Sequence, residues 1–324
     1  LTDVPDPDDL PFRHVPVLRD RIVELFGTVP PGTVVDATLG GGGHAHALLT
    51  AHPHLDLLGI DQDPMALAAA AARLEPFGSR VTLRRARFDD LRRTMADLQL
   101  DQASGVLYDL GVSSPQLDRA ERGFSFRNDG PLDMRMDPDA DRSALDVVNG
   151  YDEVRLSGVL RAYGDERHAR RIARAIVAAR PVRTTAELAA VIADAVPAPA
   201  RRRGHPARRS FQAIRIEVND ELAILADSLE QALAVVAPLG RIAAIAYHSG
   251  EDRIVKQVFR DAESGGCTCP VGLPCECGAE PTVRLVKRGA YRPDDAEVEA
   301  NPRSESARLR VVERLAASVG GSSR

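Results

Sequence analysis

Residues 32–44 read Gly32-Thr-Val-Val-Asp36-Ala-Thr-Leu-Gly40-Gly-Gly-Gly43-His44, an apolar, β-branched run that meets four consecutive glycines. The pattern predicts a buried strand over 32–39 entering a tight turn, and the Ala/Leu-rich stretch from His44 to Ala51 predicts the helix behind it. Glycine at such a turn lets the backbone approach a ligand and removes the Cβ cost at unusual φ/ψ. A plain surface turn is the bland alternative. The place of the turn, between a strand and a helix, favours the ligand reading.

Working outward, the same alternation recurs. Leu55–Asp61 is a buried strand, and Pro64–Leu74 a helix with Asp63 as its N-cap and Pro64 as its first residue. Residues 80–86 form a third strand, Asp89–Leu98 a third helix and 105–111 a fourth strand. Strand and helix in regular alternation imply right-handed crossovers, hence an α/β doubly wound parallel sheet. The pattern stops at 116–141, which is rich in Gly, Pro, Asp and Arg. Helices are expected over Asp152–Tyr163, Asp165–Ala179, Thr185–Val196 and, after a break at 197–206, Ile216–Val236. Strands at 241–247 and 282–286 and a helix over Ser304–Ala316 follow. The chain of 324 residues exceeds the roughly 250–300 at which one core stops growing. We therefore expect a sheet domain of 1–115 with 216–324, and a mainly helical, Arg-rich insert at 116–215.

Hydrophobic residues make up 44% and charged residues 27%, which argues against a disordered chain. No stretch reaches the roughly 18 apolar residues of a membrane helix. The acidic, Pro-rich start lacks the basic and apolar parts of a signal peptide, so a cytoplasmic location is expected. The net charge of −5 hides an asymmetry: Arg155–Arg215 carries 14 Arg against four acids. A basic segment on an acidic body suits a polyanionic partner, although helices whose Arg pair with nearby acids would read the same way.

Asp61 ends the second strand 21 residues after Gly40, where a carboxylate can accept both hydroxyls of a ribose. Gly40-x-Gly42-x-x-Ala45 satisfies a dinucleotide fingerprint, which keeps a nicotinamide-dependent oxidoreductase as a rival. Asp36 points instead to S-adenosylmethionine, because an acid suits the cationic methionine end and repels a pyrophosphate. Asp109, in Asp109-Leu-Gly-Val-Ser-Ser-Pro-Gln116, closes the fourth strand beside the pocket floor. An acceptor there can hold an exocyclic amine and stabilise the charge that grows as it takes a methyl. No Cys lies near this motif, which argues against thiolate-based carbon methylation. A satisfied acid at a strand end is the structural alternative.

These residues belong to a longer ordered set. It includes His14-Val-Pro-Val-Leu18, Asp36-Ala-Thr-Leu-Gly40, Gly59-Ile-Asp-Gln-Asp-Pro64, Asp109–Asp118, Arg122-Gly-Phe-Ser-Phe-Arg127, Gly130–Met136, His205-Pro-Ala, Phe211-Gln-Ala-Ile-Arg215, Val218-Asn219, His248-Ser249 and Asn301-Pro-Arg303. From His14 to about Val312 the chain resembles the ribosomal RNA small-subunit methyltransferase H family. The resemblance implies a class I methyltransferase fold with a helical insert. It also implies S-adenosyl-L-methionine as cofactor and methylation of N4 of a decoding-centre (P-site) cytidine of 16S ribosomal RNA, in the small subunit. It implies cofactor binding by Gly42, Gly43, His44, Asp61, Phe88, Asp109 and Gln116, and leaves a homodimer open. Three segments depart from the family pattern: Gly250 stands for Leu, Glu305 for Arg, and Arg208-Arg209-Ser210 for Thr-Arg-Thr. A non-catalytic RNA-binding factor on the same fold is the second rival.

Arg201, Arg202, Arg203, Arg208 and Arg209 are candidates for phosphate contacts, since guanidinium forks suit phosphate oxygens. Phe124 and Phe126 read as anchors of an irregular segment more readily than as base-stacking platforms. Ser249-Gly-Glu-Asp252 fits a capping box, an alternative to a substrate role for His248. Cys267, Cys269, Cys275 and Cys277 form two close pairs, enough for tetrahedral zinc. Their C-x-C spacing is tighter than the usual finger, so a reduced thiol loop is preferred and no metal is assigned.

Overall fold

A computed structural model describes residues 15–201, 205–270 and 276–316. The chain divides into two compact units, one of 1–110 with 226–324 and one of 111–225. The expected insert, 116–215, lies within the second.

The first unit is built on a seven-stranded sheet. Helix α1 (Arg19–Phe26) precedes β1 (Gly32–Asp36), α2 (Gly43–Ala51), β2 (Leu55–Asp61), α3 (Pro64–Leu74), β3 (Val81–Arg85), α4 (Leu91–Asp97) and β4 (Ala103–Asp109). The chain then enters the second unit, through α5 (Ser114–Asp118), α6 (Ala144–Gly150), α7 (Glu153–Gly164), α8 (Ala169–Ala179), α9 (Thr185–Ala195), α10 (Ala198–Arg201) and α11 (Arg208–Asn219). Helix α12 (Glu221–Val235) leads back to β5 (Val236–Ala246), α13 (Ser249–Ser264), β6 (Val283–Leu285), α14 (Asp295–Ala300) and β7 (Arg308–Arg314). The strand order is β3-β2-β1-β4-β5-β7-β6, with β7 antiparallel to both neighbours and the other pairings parallel.

The central strands are buried on both faces, which is why β1, β2 and β4 read as nearly continuous apolar runs. One face packs Ile22, Phe26, Val34, Leu48, Leu107 and Val311; Leu39, Ala45, Leu49, Leu57 and Leu74 form another cluster. The carboxyl ends of β1, β2 and β4 lie together because the three strands are neighbours in parallel register: Asp36 pairs with Gly59 on one side and Leu107 on the other. Asp63 caps α3 as expected, its Oδ1 accepting from the Met65 N–H at 3.0 Å.

Two expected elements differ. The long helix predicted at 216–236 is two helices, because Asp220 adopts a left-handed backbone (φ 53°) between α11 and α12. The predicted helix at 304–316 is mainly strand β7. Leu309 and Val311–Glu313 are buried between β5 and β6, and six register pairs with β5 outweigh local helix propensity.

The second unit is helical, with a core of its own. Helix α8 presents Ile172, Ala173 and Ile176 inward and Arg170, Arg171 and Arg174 to solvent. Thr184 caps α9 and Asp152 caps α7. Asn219 helps hold the irregular stretch before α6: its Oδ1 accepts from the Met136 N–H (2.8 Å), and its Nδ2 donates to the Met134 carbonyl (2.8 Å). Phe124 is buried in this core, and Phe126 stacks on His205 with ring centres 4.2 Å apart, so both anchor the segment.

Candidate active site

The turn after β1 places backbone, not side chains, at the carboxyl end of the sheet. Gly40 and Gly42 hold φ of 52° and 73°, a region that disfavours any side chain. A Cβ at Gly42 would also stand 3.3 Å from Ala70 and Leu74, so the turn rests directly on α3. Asp61, at the end of β2, braces it: Oδ2 accepts from the Gly40 N–H and Oδ1 from the Asp63 N–H, both at 2.8 Å. Burial pushes the Asp61 carboxyl up to about 6, and these backbone donors oppose the rise.

Asp36 is 2% exposed. Burial pushes its carboxyl up to about 7, and the His44 ring opposes the rise most. His44 is the second residue of α2 and is buried; neither ring nitrogen has a hydrogen-bond partner among the described residues. Its Nε2 lies 3.5 Å from Oδ2 of Asp109. Asp109 closes β4. Its N–H donates to the Thr38 hydroxyl (2.6 Å), and its Oδ1 accepts from the Tyr247 hydroxyl (2.7 Å). Burial first, and then Asp109, hold the Tyr247 hydroxyl well above its usual range, so it remains a proton donor.

Tyr247 was not singled out in the sequence. The signal was its place immediately after β5, the strand beside β4. Its N–H donates to Oε2 of buried Glu251, as does that of His248. His248, not Ser249, caps α13: its Nδ1 accepts from the Gly250 N–H at 3.1 Å. His248, Ser249, Arg292, Glu305 and Arg308 line a cavity of about 190 Å³ with Tyr247, which gathers one departure from the family pattern at the edge of the Asp109 site.

Phe88 lies on a short turn after β3. Its ring stands edge-on to Tyr108 with centres 6.3 Å apart, and its carbonyl accepts from the Ser228 hydroxyl. Gln116 belongs to the second unit, where its Oε1 accepts from the Ser113 N–H at 3.0 Å. Arg201 binds the carbonyls of Val196 and Asp194 at the end of α9, and Arg209 binds that of Asp165 beyond α7. Arg208 is exposed; Arg202, Arg203 and Cys275 lie outside the described residues.

Buried Asp36 suits a cationic group, and the turn braced by Asp61 presents backbone rather than side chains to a ligand. Both fit a sulfonium donor. The sheet, mostly parallel with antiparallel β7 between β5 and β6, is of the α/β class that the resemblance implies. A family model described as the MraW methylase family matches residues 11–315. Three relatives bear the name ribosomal RNA small subunit methyltransferase H. That of Mycolicibacterium smegmatis is 51% identical, covering 96% of this chain and 85% of its own length. That of Thermobifida fusca is 51% identical over 93% of each chain. That of Symbiobacterium thermophilum is 52% identical over 94% of this chain and 98% of its own. The chain belongs to the MraW methylase family, and S-adenosyl-L-methionine is its cofactor.

Proposed function

We propose that this methyltransferase transfers a methyl group to the N4 amine of a decoding-centre cytidine in 16S ribosomal RNA of the small subunit, in the cytoplasm. The names of the relatives support the RNA class. The observation that carries the reaction is Asp109: a strand-end carboxylate fixed from two sides, with 28% of its side chain still exposed. No helix among the described residues is long and apolar enough to cross a membrane.

When bound, S-adenosylmethionine supplies an electrophilic methyl on a sulfonium sulfur. Gly42, Gly43 and His44 would hold it at the turn, Asp61 would accept its ribose hydroxyls and Phe88 would flank its adenine. Asp36 faces its cationic end. The Tyr247 hydroxyl occupies Oδ1 of Asp109, which leaves Oδ2 to accept an N–H of the incoming amine. Held there, the amine would present its lone pair to the methyl, whose bond to sulfur breaks to release S-adenosylhomocysteine as the N–C bond forms, and Oδ2 would take the proton that the nitrogen gives up. Exposed Arg161, Arg167, Arg170, Arg171 and Arg208 give the second unit a basic surface for phosphates. Others of its Arg side chains are engaged by protein, as with Arg215 on Glu221.

The test is transfer of tritiated methyl to small subunits that lack the modification, followed by nucleoside analysis. Label on N4 of one cytidine is expected. Label on carbon 5, on another nucleoside, or none at all would overturn the reading.

A further inference from the structure

Between α13 and β6 the chain makes an excursion that is closed at its base. The Thr282 N–H donates to the Ala262 carbonyl at 3.1 Å, and a Cβ on Gly265 would meet the Glu280 backbone at 2.4 Å. On this excursion Cys267, Cys269 and Cys277 bring their sulfur atoms within 4.8 Å of one another. Among the described residues it is the one group of three or more His, Cys, Asp or Glu that could hold a metal ion.

The distances discriminate between two fates of these thiols. Cys267 and Cys277 are 3.6 Å apart at sulfur. A disulfide would need about 2.05 Å. Two thiolates at about 2.3 Å from one tetrahedral zinc stand about 3.8 Å apart, close to what is seen. The Cys269 sulfur also accepts from the backbone N–H groups of Glu276 and Cys277, an outer set of donors that orients a ligating thiolate. Gly265, Gly266 and Gly278, at φ of 63°, 72° and 70°, supply the sharp reversals that a C-x-C spacing requires.

We propose that Cys267, Cys269 and Cys277 bind one zinc ion, which pins the connection between α13 and β6. The fourth tetrahedral place goes to water or to another donor. The role is structural. Strand β6 has only three residues and, among the described residues, β7 is its one strand neighbour, so an edge this short gains order from an anchor just before it. Soft thiolates select zinc over the hard cations that carboxylates would take.

The full chain, produced with zinc in the medium and dialysed against metal-free buffer, is assayed for metal content. It is then exchanged with cobalt(II) and examined by absorption. About one zinc per chain is expected, with a thiolate-to-cobalt charge-transfer band and the intense visible bands of a tetrahedral site. The Cys267→Ser/Cys269→Ser/Cys277→Ser variant should lose both while still binding S-adenosylhomocysteine by calorimetry. Zinc below about one-tenth equivalent in the parent chain, an octahedral cobalt spectrum, iron in place of zinc, or a disulfide among these cysteines by mass spectrometry would each overturn the proposal. So would full zinc retention in the variant. If the variant does not fold, the parent chain's zinc content and cobalt spectrum decide alone.

Discussion

At the ends of β1 and β2, Asp36 and Asp61 accept only backbone N–H groups among the described residues, and their carboxyls are pushed up to about 7 and about 6. Around β5 and β7, Asp252 and Glu313 also expose little surface but are less deeply enclosed, and both lie below the usual carboxylate range. Weaker desolvation is one part of the difference, and the partner is the other. Arg310 and Arg308 hold Asp252, and Arg241 and Arg284 hold Glu313. Buried acid with its counter-charge built in is architecture. Buried acid without one is a half-finished ion pair, and the cofactor's cationic end completes it. Asp109 lies between these extremes, with hydrogen-bond donors but no guanidinium on it among the described residues.

The largest effect should come from Asp109→Ala. Methyl transfer is expected to fall about 10³-fold, within the usual range for a positioned base, while affinity for S-adenosylhomocysteine changes little. Equal losses in both would move Asp109 into the cofactor pocket and out of the chemistry.

The second break is with pH. Asp36 binds its proton more tightly folded (about 7) than unfolded (3.8), so it costs stability progressively as pH rises from about 4 to about 7. At full ionisation the penalty is roughly 4 kcal/mol. Urea unfolding of the cofactor-free protein at pH 5 and pH 8 should show this loss, and Asp36→Asn should flatten it. Calorimetry in buffers of different ionisation enthalpy should also show proton release when the donor binds near pH 7, reduced in the variant. An unchanged pH slope would remove the contrast between the two regions.

The smallest effect is expected on the paired side. Glu313→Gln leaves half-buried Arg241 without its counter-charge and should cost about 3 kcal/mol in unfolding free energy. Affinity for the donor should stay within about twofold, because the site is remote. A large change in affinity would show that the two acid sets are coupled.

One side of this contrast is legible in the sequence. The apolar strands are punctuated by Asp36, Asp61 and Asp109, and a parallel sheet must bring such strand ends together. The catalytic-side partners were harder to see. Tyr247 reaches Asp109 across 138 positions, and no local pattern encodes that pairing. His248 takes the place of Ser249 as the cap because its Nδ1 accepts from the Gly250 and Glu251 N–H groups, so the helix starts one residue earlier. Strand β7 was missed although Leu309 and Val311 alternate with Arg308 and Arg310: the charged positions resembled a helix face, while the arginines in fact serve Asp252. The break at Asp220 was signalled only by the adjacent Asn219-Asp220 pair, residue types that tolerate left-handed backbone.

Strand β7 comes after every other element of the described chain, yet it is wedged inside the sheet, bonded to β5 and β6 at once. During synthesis, the ribosome must therefore translate through residues 308–314 before those two strands can close on either side of it. A message cut short of that codon stretch would yield a chain with raw sheet edges and the Glu313 carboxylate missing from Arg241. Incomplete copies of this methyltransferase would thus be marked for aggregation or clearance before they could compete for a substrate.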